Sequence, residues 1–256
     1  MKIPVMAINE FSEFIMAFYS GSDSVDAEDA YRPELQDLYS LYSKVRNNKI
    51  VAVMEFGSGW STLALCKALD ENRRDFGEFV NANIRHPNPF TLMSVDCSKH
   101  FLSLALGRIP KELSGTSIIP VVSAAHMTTL NGQICSLFDA IPPFTADFIY
   151  LDGPDCDQVS GDVNGFSVRF GAHDYAYGLP MAADLVLLEP FFWPGTLLVT
   201  DGRGANAHFL KNNFKRNWVY RYDLDCDQHI FRLFEDPFGA ISASLLTLKE
   251  GWLGVE

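Results

Sequence analysis

No stretch of this chain approaches the roughly 18 consecutive apolar residues that a membrane-spanning helix needs, although 48% of its 256 residues are hydrophobic. That apolar content is expected in a folded interior, and the length suffices for one large domain, or one domain with a small appendage. Basic residues are scarce as well. Lys and Arg total 20 against 32 Asp and Glu, a formal net charge of −12, which would repel a phosphate backbone and forfeit the counterion release that drives nucleic-acid binding. Neither nucleic acid nor a membrane is an expected partner. The five cysteines (Cys66, Cys97, Cys135, Cys156 and Cys226) are scattered and form no C-x-x-C pair, so they supply neither a disulfide framework nor a zinc site. A cytoplasmic location follows as an expectation. Asn9, Glu10 and Glu13 interrupt the N-terminal stretch, so neither a signal peptide nor a membrane anchor is expected there. Internal repeats and low-complexity segments are also lacking.

What is present is a change of pattern near residue 49. Before it, Phe11, Phe14, Ile15 and Phe18 recur at helical spacing, and so do Leu35, Leu38, Tyr42 and Val45 behind Pro33. Residues 1–48 therefore read as an N-terminal helical cap with a solvated Ser20–Glu28 connection. After it, short apolar runs ended by Gly or Asp alternate with helical stretches. The runs are Ile50–Glu55, Thr91–Asp96, Ser117–Val122, Ala146–Asp152 and Thr196–Asp201. The helices are expected over Ser61–Leu69, Ser98–Leu106, Met181–Leu188 and Ala205–Phe214. This alternation predicts a doubly wound α/β domain, mostly parallel, over residues 49–256. Trp218–Leu224 and His229–Phe234 are separated only by Asp225-Cys226-Asp227-Gln228, a link that allows an antiparallel hairpin but no parallel crossover. The sheet is thus expected to have seven strands. Asp70–Phe90 and Asp155–Pro180 lie outside the minimal pattern and read as long loops; the second is the better candidate for an element covering a substrate.

The first run ends in Glu55-Phe56-Gly57-Ser58-Gly59-Trp60-Ser61. Gly-x-Gly between a strand and a helix lets the backbone approach a ligand at the carboxyl edge of the sheet; alone it also fits a turn that merely needs glycine. Two carboxylates narrow the choice. Glu55 is a poor neighbour for a pyrophosphate but suits a ligand carrying an ammonium and a sulfonium, and Thr62 stands where a dinucleotide fingerprint has its third glycine. Asp96, at the tip of the second run, offers two oxygens to the vicinal hydroxyls of a ribose, or alternatively caps the helix that follows.

The segment Val53–Thr62 resembles motif I of the class I S-adenosylmethionine-dependent methyltransferases, in its E-x-G-x-G-x-S form. Phe148-Ile149-Tyr150-Leu151-Asp152-Gly153 resembles the fourth-strand block of the small-molecule O-methyltransferases, and Pro194–Asp201 resembles their fifth strand. The resemblance implies a Rossmann-like fold with S-adenosylmethionine as cofactor. It implies that the cofactor-binding loop is Glu55, Phe56, Gly57, Ser58, Gly59, Trp60 and Ser61, with Gly57 to Ser61 wrapping the methionine part. Asp96 would hold the ribose with Cys97 beside it among the cofactor-binding residues, Ser123, Ala124 and Ala125 would lie by the adenine, and Asp152 would face the methyl group and substrate. A small-molecule acceptor methylated at oxygen is the implied partner; Asp152 is the best-placed candidate proton acceptor, with His126 and His173 as the others. Some members bind a divalent metal through acids at the positions of Asp152 and Asp201, a donor set suited to magnesium or calcium; here Gly202 follows, and a third ligand is unassigned. A cofactor-binding module without catalysis, and a nicotinamide-dependent oxidoreductase, are the competing readings.

Overall fold

The computed structural model describes residues 5–19, 32–113, 115–167 and 183–249. In chain order these form α1 (Ile8–Met16), α2 (Leu35–Asn47), β1 (Ala52–Phe56), α3 (Trp60–Asn83), β2 (Thr91–Asp96), α4 (Lys99–Gly107) and β3 (Ser117–Val122). Then come β4 (Ala125–Leu130), β5 (Gln133–Phe138), β6 (Phe148–Leu151), β7 (Val159–Ser160), α5 (Ala183–Leu188) and β8 (Leu197–Thr200). The chain closes with α6 (Gly204–Asn213), β9 (Trp218–Asp223), β10 (Gln228–Leu233) and α7 (Ala240–Leu248).

Seven strands make the main sheet in the order β3-β2-β1-β6-β8-β10-β9. The first five run parallel, and β10 joins β8 antiparallel and pairs with β9 as the expected hairpin. Strands β1, β2, β6 and β8 are buried at every position. This explains why they read as unbroken apolar runs: both of their faces are covered. Met54, Phe56, Ile149, Leu151 and Leu198 pack with Met127, Leu185 and Phe209 from the β4–β5 hairpin, α5 and α6. Their alternate neighbours Val53, Phe148, Tyr150, Leu197 and Val199 pack with Phe11, Leu41, Tyr42 and Leu63. The N-terminal helices therefore share one core with β1 and α3.

Three elements differ from the sequence reading. Helix α3 continues through Asp70 to Asn83, with one non-helical residue at Phe76; the loop expected over Asp70–Phe90 is confined to its last residues. The charges that suggested a loop are spent on α2 instead. Arg46, 2% exposed, pairs with Glu71 at 3.0 Å and Asp75 at 2.6 Å and donates to Asn72 at 2.5 Å. The crossover from β3 to β6 carries the β4–β5 hairpin, turned at Asn131 and Gly132, both at positive φ. Two successive residues at positive φ are what a tight hairpin turn of matching twist requires. Helix α7 covers Val51, Val80 and Phe90 with Leu245 and Leu248, and Lys249 reaches the buried Asp147 at 2.7 Å. The Ser20–Glu28 connection, residues 168–180 of the Asp155–Pro180 segment, and the start of the helix expected from Met181 lie outside the described residues.

Candidate functional site

Strand β1 ends beside β6 on one side and β2 on the other, and the chain leaves these two neighbours in different directions: such a switch point opens a crevice at the carboxyl edge of a parallel sheet. The loop after β1 fills that edge. Gly57 has φ +88°, and a Cβ there would lie 2.8 Å from the Gly153 nitrogen; a Cβ on Gly153 would lie 2.6 Å from the Gly57 Cα. The loops after β1 and β6 thus touch backbone to backbone. Neither position has room for a side chain.

Glu55 lies beneath this loop. Residues alternate along β1, so its side chain turns to the α3 face, where it is wholly buried. Ser61 donates to one carboxylate oxygen at 2.6 Å, and Thr62 and Ser94 donate to the other, each at 2.8 Å. Burial raises its pKa to about 7, against the three hydroxyl hydrogen bonds that favour the charged form. The Gly59 N–H donates to Thr62 Oγ1 at 3.0 Å, so Glu55 supports the glycine loop through two side chains at the start of α3. Its carboxylate is thus engaged by the three hydroxyls beneath the loop. Phe56 and Trp60 also point away from the crevice. Phe56 packs in the core 5.8 Å from Phe138, and Trp60 packs on the α3 side, with the Arg108 guanidinium 4.3 Å over its ring.

Asp96 ties three segments together. Its Oδ2 accepts from the Ser58 amide at 2.7 Å and the Ser58 hydroxyl at 2.5 Å, and its Oδ1 accepts from the Ser98 amide at 2.7 Å. Ser98 Oγ in turn accepts from the Phe101 amide, so Ser98 provides the helix cap. The Ser123 amide donates to the Asp96 carbonyl at 3.0 Å, and the Ala140 amide donates to Ser123 Oγ at 3.0 Å. Gly57–Gly59, Asp96–Cys97 and Ser123–Ala124 therefore stand along one edge. Beyond Ala124, the partly exposed His126 meets the exposed Asp139 at 2.7 Å.

On the other side of Gly153, the carboxylates of Asp152 and Asp201 are joined by Arg203. Its Nε donates to Asp201 Oδ2, and its Nη2 donates to the Asp152 carbonyl at 2.6 Å and to Asp152 Oδ1 at 3.2 Å. The Asp152 side chain is 42% exposed, whereas those of Asp201 and Arg203 are each 20% exposed. Desolvation in this recess and the neighbouring Asp201 charge raise the Asp152 pKa, and the guanidinium opposes them.

A divalent ion would meet a cation already in place. The guanidinium already faces both carboxylates. It would repel each unit of added positive charge at ~4 Å by roughly 4 kcal/mol at a protein-like effective dielectric. Gly202 contributes no ligand, and the position a Cβ would take there is filled by the Asp227 carboxylate, which accepts from the Tyr222 hydroxyl. Among the described residues, no three His, Cys, Asp or Glu side chains converge as a metal-binding group. Asp152 and Asp201 do not fit a divalent ion in this arrangement.

His173 lies outside the described residues. Arg203, Ser94 and Gly153 are site residues that sequence reasoning missed. The Gly153 signal was available in the Asp-Gly that ends the β6 run; Ser94 carries none, being one hydroxyl in an apolar strand. For Arg203 the signal was a lone basic residue two positions beyond a strand-terminal Asp.

No protein-family model and no curated protein sequence matches the chain. Among solved structures, it is similar to the O-methyltransferase TomG from Streptomyces achromogenes, solved in complex with SAM, at 13% identity and a TM-score of 0.44, covering 91% of this chain and 92% of that one. It is similar to the SAH-bound methyltransferase PaMTH1 of Podospora anserina at 12% identity and a TM-score of 0.46, covering 91% and 90%. It is also similar to a methyltransferase from Geobacter sulfurreducens at 12% identity and a TM-score of 0.46, covering 92% and 100%.

Proposed function

We propose that the chain is an S-adenosylmethionine-dependent methyltransferase acting on a small molecule at oxygen. The observation that carries the reading is the assembly of Gly57–Gly59, Asp96 and Asp152 at one switch point, in a sheet that ends in an antiparallel hairpin, the ordering implied by the sequence resemblance. Bound S-adenosylmethionine would supply a methyl group already activated on a sulfonium, so the protein's work is to orient an acceptor and to take its proton. The bare loop admits the cofactor backbone at Gly57–Gly59. Asp96 is the ribose acceptor in this reading: an approaching pair of hydroxyls would exchange with or add to the bonds it accepts from Ser58 and Ser98. Asp152, more exposed than Asp201, is the nominated proton acceptor. Its raised pKa brings it toward the range in which a general base works best near neutrality. The net charge of −12 favours an acceptor other than nucleic acid.

Thermal shift and calorimetry with S-adenosylmethionine, S-adenosylhomocysteine and NAD test the reading, because a ligand of the folded state raises stability by mass action. Stabilisation by the first two is expected, with Asp96→Ala weakening both by about 10- to 100-fold, the effect of losing hydrogen bonds to a charged group. Stabilisation by NAD alone would overturn the proposal. A methyl-release assay over small hydroxylated acceptors then separates an enzyme from a binding module. Asp152→Asn should lower turnover by about 10²–10⁴-fold, the usual worth of a general base.

A further inference from the structure

Arg203 holds a place that neither the glycine loop nor the proposed methyl transfer requires. It follows β8 by three residues, is four-fifths buried, and spends donors on Asp201, on the Asp152 carboxylate and on the Asp152 carbonyl. A surface arginine answering one acid needs no such bridge. Here a single fixed positive charge spans the tips of two parallel neighbouring strands, β6 and β8, and does three things a bound cation would do there. It brings two carboxylates together without leaving their repulsion uncompensated, fixes the rotamer of the exposed one, and secures the backbone that carries it. A planar guanidinium suits this role because its donors leave it in fixed directions, which a lysine ammonium cannot match.

We propose that Arg203 is the resident cation of this site, a positioning residue that takes the place of a divalent metal between Asp152 and Asp201, so that the chain works without one. The location of the site rests on the methyltransferase reading; the bridge itself does not. The proposal predicts a latent metal site: with the guanidinium removed, two carboxylates on adjacent strand tips are left facing each other with no cation between them.

Mn²⁺ binding followed by electron paramagnetic resonance on the full chain decides it without any turnover measurement. The wild-type protein, stripped with EDTA, is expected to leave added Mn²⁺ free in solution and to keep its melting temperature. Arg203→Ala and the milder Arg203→Gln should each gain Mn²⁺ affinity by about tenfold or more. Arg203→Lys, which keeps the charge, should gain little, and adding Asp152→Asn to Arg203→Gln should abolish the gain. Wild-type binding of Mn²⁺ that Asp152→Asn removes would overturn the proposal, as would well-folded Arg203→Gln and Arg203→Ala proteins with no added affinity. If neither variant folds, the wild-type measurement still decides. Failure of the cofactor thermal shift would leave these outcomes unchanged, so the two proposals fail separately.

Discussion

A carboxyl group sealed from water stays ionised only if its hydrogen bonds outweigh the lost hydration, and at Glu55 three hydroxyls fall short of doing so. In the unfolded chain the group ionises near 4.5; in the folded chain it does so at about 7. Between those values the folded state holds a proton that the unfolded state has lost. The stability this contributes is complete below pH 4.5 and disappears as pH rises through about 7. Glu55→Gln, which cannot titrate, should therefore gain on the wild type as pH rises from about 5 to 8. Parallel denaturation series at several pH values measure the difference, and curves that stay parallel would refute the assignment. This residue also shows where sequence reasoning stops. Glu55 was legible as important from its place before Gly57, but its orientation depends on the partners Ser61, Thr62 and Ser94, and the last of these arrives from another strand.

Elements were legible where burial is two-sided. Strands β1, β2, β6 and β8 announce themselves because each residue meets a covered face. Helix α3 beyond Leu69 did not, since the charges of Glu71 and Asp75 look solvated until Arg46 of α2 is placed against them. The β4–β5 hairpin was hidden differently: only Ala125 and Met127 of β4 are buried, too brief an alternation to register, although Asn131-Gly132 is a strong turn signal. The junction between elements gives a sharper test than the elements themselves. Gly57→Ala puts a methyl 2.8 Å from the Gly153 backbone at a φ of +88°, whereas a Cβ at Gly59 meets nothing within 4 Å. Gly57→Ala should destabilise by at least about 1–3 kcal/mol, the range for a strained backbone position, and Gly59→Ala by clearly less. Urea denaturation of both variants provides the comparison, and equal losses would contradict the close approach of the two loops.

The whole molecule carries 12 more acidic than basic residues, and two carboxyls, the buried Asp184 and the half-buried Asp37, reinforce the consequence. Asp184, buried behind β5 where it accepts from the Phe138 amide, is raised by desolvation to about 7, and Asp37 is raised to about 6. Both favour the folded state at the acid end of the neutral range, with their contribution lost as pH climbs through those values. Self-repulsion grows in the same direction. Melting temperature should therefore fall from about pH 6 to 8, and added salt should recover more of it at pH 8, because screening relieves repulsion among exposed charges. A melting temperature that rises over this interval would count against the raised pKa values of these two carboxyls.

The order of the strands carries a consequence for how the molecule assembles. Strands β3, β2 and β1 form one half of the sheet, and β6, β8, β10 and β9 form the other. Between these halves Val53 must find Phe148, a pairing that waits on closure of a long intervening chain. The glycine contact at Gly57 and Gly153 lies on that seam, with one loop supplied by each half. A pocket built there does not exist in either half alone, so a ligand held across it would report that the two halves have joined.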